Sequence, residues 1–142
     1  MECEFATINS NKDEIKEIFD NTKTIAIIGC SPDSSKASNK VAVYLKNVGF
    51  KIVPVYPKED EILGEKVYRS LGDIPFKVDM VDIFRKPEVI GKVVDEAIKR
   101  GDVDTVWTQL GLVNNDAAKK AKKAGMKVVQ NNCTKIEHAA IY

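Results

Sequence analysis

The sequence predicts a single α/β domain, a doubly wound sheet of five mainly parallel strands with helices on both faces. Three observations carry this. The run Ile25, Ala26, Ile27, Ile28 is apolar at every position, as a strand covered on both faces must be. Such runs alternate with amphipathic helical patterns, the order that builds a parallel sheet. The first run ends at Gly29 and a small polar loop before a helical pattern begins, which reads as strand, anion-binding turn, helix.

Size and composition agree. The 142 residues suit one domain, read as a leading helix over 1–22 and a core over 23–142, and 44% hydrophobic residues suffice for a two-faced sheet. With 22 basic against 21 acidic residues the net charge is +1, so there is no general attraction to nucleic acid or a membrane and any anion site is local. No apolar run approaches the ~20 residues that span a bilayer, and MECEFATINS lacks the basic start and apolar core of a secretion signal; a cytoplasmic protein is expected. Cys3, Cys30 and Cys133 are odd in number and lack metal-ligand spacing, so neither a disulfide framework nor a structural metal is expected.

Residues 8–20 place Ile8, Ile15, Ile18 and Phe19 at helical spacing behind a cap at Ser10 or Asn11. The first strand follows, then a loop in which Ser31, Ser34, Ser35 and Ser38 supply hydroxyls and Lys36 a charge. Ser38 or a near neighbour is placed to cap a helix whose Val41, Ala42, Leu45 and Val48 share a face. Gly49 ends that helix, and Lys51 to Tyr56 is a second strand. Residues 57–75 are polar and turn-rich, with one brief helical turn around Val67, Tyr68 and Leu71. Val78 to Phe84 is a third strand, and Pro87 opens a helix at the position where its missing amide costs nothing. Val89, Ile90, Val93, Val94, Ala97 and Ile98 form its core face, and Gly101 closes it. Thr105 to Leu110 is a fourth strand with Trp107 in the core. Asn114 or Asn115 caps an alanine-rich helix ending at Gly125, Met126 to Val129 is a fifth strand, and the tail from Cys133 packs back as a last helical turn. The simplest strand order is 3-2-1-4-5, with ligands expected beyond the carboxyl ends of the strands beside Gly29.

Four loops meet at that edge: Gly29 to Ser38, Tyr56 to Lys58, Arg85 to Pro87, and Gln109 to Gly111. A nicotinamide dinucleotide site would want G-x-G-x-x-G after the first strand and an acidic residue ending the second. The sequence has Gly29-Cys30-Ser31-Pro32 and Tyr56-Pro57-Lys58 instead. A cation at Lys58 suits a phosphorylated ribose, which charge alone assigns equally to coenzyme A and NADP. Arg85 and Lys86 stand at the positive end of the following helix, an unfavourable place for cations unless an anion arrives.

The stretches AIIGCSPDSSKAS, VPVYPK, ILGEKVYRSLGDIP, VDIFRKPE, VWTQLG and VVQNNCTKIEH together resemble the small stand-alone CoA-binding domain family. Its Rossmann-like fold is similar to the N-terminal CoA-binding domain of the succinyl-CoA synthetase α subunit. The resemblance implies that Gly29, Ser31, Lys36 and Ser38 hold a diphosphate. It further implies that Tyr56, Pro57 and Lys58 face the adenosine phosphate, and that Phe84, Arg85, Lys86 and Pro87 flank the adenine or pantetheine. The ligand is then coenzyme A or an acyl-CoA, and the partner a second copy or a separate synthetase subunit. Three departures stand out: Cys30 where alanine is customary, Lys36-Ala37 for an arginine and proline, and Asn131-Asn132 for an acidic and basic pair.

No catalytic set appears near these loops, so the reading is a binding module and not an enzyme. The alternatives are a CoA-binding subunit of a multi-chain acyl-CoA synthetase and an NADP-linked oxidoreductase. Cys133, Glu137 and His138 are read as structural. Cys30, just before a helix N-terminus, is expected to have a lowered pKa and to react with thiol reagents ahead of Cys133, a position that also fits a sensor of CoA status.

Overall fold

The computed structural model describes residues 5–142, so the expectation for Cys3 lies outside the described residues. The elements run α1 (Lys12–Asp20), β1 (Thr24–Ile28), α2 (Ala37–Asn47), β2 (Lys51–Val55), the short hairpin β3 (Glu61–Ile62) and β4 (Glu65–Lys66), β5 (Met80–Ile83), α3 (Pro87–Arg100), β6 (Thr105–Thr108), α4 (Asn115–Lys123), β7 (Lys127–Val129) and α5 (Thr134–Ile141). A single 3₁₀ turn at Leu71–Asp73 lies between β4 and β5. The predicted α/β class, the five parallel strands of the main sheet and the helices on both faces are all present. Two additions are the hairpin, in the stretch expected to hold only a helical turn, and a C-terminal helix of eight residues.

The strand order differs from the expected 3-2-1-4-5. The sheet runs β2-β1-β5-β6-β7, so the third main strand enters beside the first and the second is left on the edge. Pro54 explains the exchange. Between two partners its missing N–H would remove a ladder bond, which confines proline to edge strands. Its carbonyl accepts from Tyr68 N–H at 3.0 Å on the outer side, so the side that lacks a donor faces away from β1. The return from β2 to β5 then crosses the face opposite α2, since both crossovers are right-handed. Leu71, Ile74 and Val78 accordingly join α3 and α4 in one apolar layer, while α1, α2 and α5 share the other with Trp107.

Local chemistry sets the helix ends. Asn11 and Glu14 form a reciprocal capping box on α1, and the Asn114 side chain accepts from Ala117 N–H to start α4. Gly101 closes α3 at φ +77°, a left-handed backbone that glycine adopts without strain. Val48 and Ile98, expected on core faces, stand at the rim instead, because each falls in or beyond the last turn of its helix.

Candidate functional site

The revised strand order moves the switch in chain direction to the gap between β1 and β5, where the loops carrying Gly29 and Arg85 meet. Gly29 has φ +85°, and a Cβ built there would lie 2.8 Å from Phe84 O and 3.0 Å from Arg85 Cδ. The glycine is therefore required by the close approach of the β5–α3 loop, and the Arg85 side chain lies across it.

The loop from residue 31 to 36 holds itself in shape. Ser31 N–H donates to Ser38 Oγ at 3.0 Å, Asp33 N–H to Ser31 Oγ at 3.1 Å, and Asn39 Nδ2 to Ser31 O at 2.9 Å. Ser38 therefore does not cap α2: it is a buried residue inside the first turn, its hydroxyl committed to the loop. Lys36 occupies the N-cap position and provides no side-chain cap. The N-termini of α3 and α5 likewise lack side-chain caps. Lys36, Lys58, Arg85 and Lys86 form no ion pair among the described residues.

Two clefts open at this edge and share Arg85. One, of about 450 Å³, runs between Val55 and α3 and is lined by Arg69, Ser70, Lys92 and Glu96. The other, of about 420 Å³, is apolar: Ala37, Val41, Phe84, Pro87, Leu110 and Leu112 line it, with Gln109 and Cys133. Arg69 and Ser70 received no role from the sequence, yet Arg69 organises the loop after β2. Its guanidinium donates to the carbonyls of Tyr56, Lys58 and Glu59 at 3.1, 3.0 and 2.7 Å. The signal was the small apolar group Val67, Tyr68, Leu71, which draws residue 68 against Val55.

Beneath the apolar cleft lies a carboxyl that the sequence reading passed over. Asp82 is fully buried in β5; its Oδ1 accepts from Gln109 Nε2 at 2.5 Å and its Oδ2 from Thr134 Oγ1 at 2.9 Å. Gln109 Nε2 also donates to Thr134 Oγ1 at 2.9 Å. Burial pushes the Asp82 carboxyl up to about 7, against the lowering effect of these two donors. Gln109 is thus a buried network residue with only an edge in the cleft, and Gly111, expected beside it at the ligand, gives its N–H to Asn131 Oδ1 at 2.7 Å.

The model of the family described as "CoA binding domain" matches residues 23–139. This chain belongs to that CoA-binding domain family. The protein YneT of Bacillus subtilis is 37% identical over 92% of this chain and 96% of its own length. An ADP-forming acetate–CoA ligase of Methanocaldococcus jannaschii is 31% identical over 84% of this chain, which spans only 18% of that ligase. Among solved structures, a hypothetical protein from Pyrococcus horikoshii OT3 superposes with a TM-score of 0.90 at 39% identity, covering 99% of this chain and 98% of the other.

This edge sets the uncapped N-termini of α2, α3 and α5 and, among the described residues, cations without an ion-pair partner beside a mostly apolar groove. Tyr56, Pro57 and Lys58 lie on the loop that Arg69 braces, and Phe84, Arg85, Lys86 and Pro87 border the apolar cleft. Cys30 does not join them. Its side chain is 0% exposed and packs among Ile27, Val41 and Trp107 on the α2 face. Burial, with the Asp82 charge second, pushes its thiol up to about 11, the reverse of the lowering expected from the helix N-terminus. The half-buried Cys133 at the α5 N-cap lines the cleft instead. His138 is no partner for it: its Nδ1 pairs with Tyr44 Oη at 2.8 Å and its ring stacks on Tyr142. The expected order of labelling is therefore reversed. In folded protein, iodoacetamide should modify Cys133 well ahead of Cys30, read by peptide mass spectrometry over time; Cys30 modified first would contradict the burial seen here.

Proposed function

We propose that this chain binds coenzyme A or an acyl-CoA across the carboxyl edge of the sheet and performs no chemistry of its own. The observation that carries the reading is the pair of clefts joined at Arg85, one polar, with Arg69, Arg85 and Lys92 against Glu88 and Glu96, and one mostly apolar. Coenzyme A has that division: a triply phosphorylated nucleotide end and an uncharged arm ending in a thiol. Lys58 would meet the ribose phosphate, while Lys36 and the α2 amides would meet the diphosphate, each charge-assisted contact contributing roughly 1.5–3 kcal/mol. Arg85 would lie between nucleotide and arm. Bound coenzyme A supplies a thiol or thioester; the chain's residues hold its phosphates and shield its arm. A second reading, a CoA-holding subunit of a larger synthetase, is favoured by the 29% identity to the alpha subunit of ADP-forming acetate–CoA ligase II from Pyrococcus furiosus, of which this chain spans 28%.

The test is native mass spectrometry of the purified protein followed by thermal shifts. Retained coenzyme A is expected, as is stabilisation by about 2.7 kcal/mol at a hundredfold excess over Kd. Dephospho-CoA should stabilise less, because Lys58 loses its phosphate. A larger shift with NADPH than with coenzyme A would overturn the reading.

A further inference from the structure

Gln109 is 5% exposed, and its amide nitrogen is fully spent on Asp82 and Thr134. Its carbonyl oxygen Oε1 accepts from no described residue. Every sealed side-chain nitrogen and oxygen among the described residues has a partner, so Oε1 is not sealed, and Gln109 lines the apolar cleft. The network also fixes which end of the amide points there. Above about pH 7, where Asp82 is ionised, the carboxylate presents only acceptors to Gln109, and Thr134 spends its hydroxyl hydrogen on Asp82 Oδ2, so its oxygen too can only accept. The NH₂ group is held inward and the oxygen outward.

We propose that Gln109 Oε1 is the acceptor for an amide N–H of the ligand's pantetheine arm, with Asp82 and Thr134 as the positioning residues that keep it turned toward the cleft. This rests on the coenzyme A reading. A groove walled by Phe84, Pro87, Leu110 and Leu112, whose charged members Arg85 and Lys86 are donors only, takes an aliphatic chain without preference, whereas one fixed acceptor selects an arm that carries a donor. Gln109 thereby distinguishes a pantetheine thioester from an acyl chain of similar length without amides.

Calorimetric titration of coenzyme A and of adenosine 3′,5′-bisphosphate, which lacks the arm, separates this role from the phosphate contacts. Gln109→Leu should bind coenzyme A about tenfold more weakly and the armless nucleotide unchanged. Asp82→Asn offers an NH₂ to the Gln109 oxygen, turns the amide over and should produce the same selective loss. A coenzyme A analogue with esters in place of the arm's amides should bind the unaltered protein about tenfold more weakly, a measurement that does not depend on any variant folding. Equal affinity of the ester and amide ligands, or equal losses for both nucleotides in the variants, would overturn the role of Gln109 alone. No binding of coenzyme A to the unaltered protein would overturn the functional reading and this one with it.

Discussion

Gly29→Val should lower stability by about 3 kcal/mol or more, enough to drop the unfolding midpoint by roughly 10 °C. Two costs combine. At φ +85° a residue with a Cβ pays about 1–2 kcal/mol, and β-branching adds to it. The new carbon would also sit 2.8 Å from Phe84 O, a backbone atom held by β5, and displacing it costs about 1–3 kcal/mol more. Gly101 is the control: its φ is +77° but nothing lies within 4 Å of a Cβ there. Gly101→Ala should pay only the conformational cost, so Gly29→Ala should exceed it by about 1 kcal/mol or more in urea unfolding. Equal losses at the two glycines would mean that the β5–α3 loop yields freely. The turn glycine then acts through the fold before it acts on any ligand, since the vacant Cβ position faces Phe84 and Arg85.

Periodicity makes most of this fold legible. Ile15, Ile18, Phe19, Ile90, Val93, Val94 and Ala97 are buried as their helical spacing requires, and Asn11 and Asn114 cap as their positions before those patterns imply. Strand order is not periodic and escaped, although Pro54 in the second strand carried the needed sign. The candidate loops were legible because the carboxyl ends of parallel strands all lie at one edge. Side-chain direction within them was not. Cys30 reads as a loop residue beside a helix dipole, but Gly29 at φ +85° breaks the alternation of β1, and the Cys30 side chain falls on the α2 face with Ile25 and Ile27 instead of with Ala26 and Ile28. Asp82 was overlooked for another reason: the strand pattern absorbs a single carboxyl without asking what satisfies it, and its partners, Gln109 after β6 and Thr134 at the start of α5, are distant in the chain.

Replacing Asp82 should change how stability depends on pH. In the folded chain its carboxyl titrates near 7, against an ordinary value of 3.8, because burial disfavours the charge more than Gln109 and Thr134 favour it. Between about pH 4 and 7 the folded chain therefore holds a proton that the unfolded chain has released. Stability from this group is present at acid pH, falls as pH rises through that window, and is fully lost above about 7. From pH 5 to 8 the loss amounts to about 3 kcal/mol. Asp79 and Asp102 run the other way: Lys77 beside the first and Arg100 beside the second hold them below the usual range, so they weaken the fold only in stronger acid, outside this window. Asp82→Asn cannot titrate. Whatever constant cost its altered hydrogen bonding brings, its stability should decline less than that of the unaltered protein by about 3 kcal/mol from pH 5 to pH 8. Urea unfolding of both proteins at the two pH values measures the difference. Parallel pH profiles would show that Asp82 is ionised throughout, its charge fully stabilised by Gln109 and Thr134.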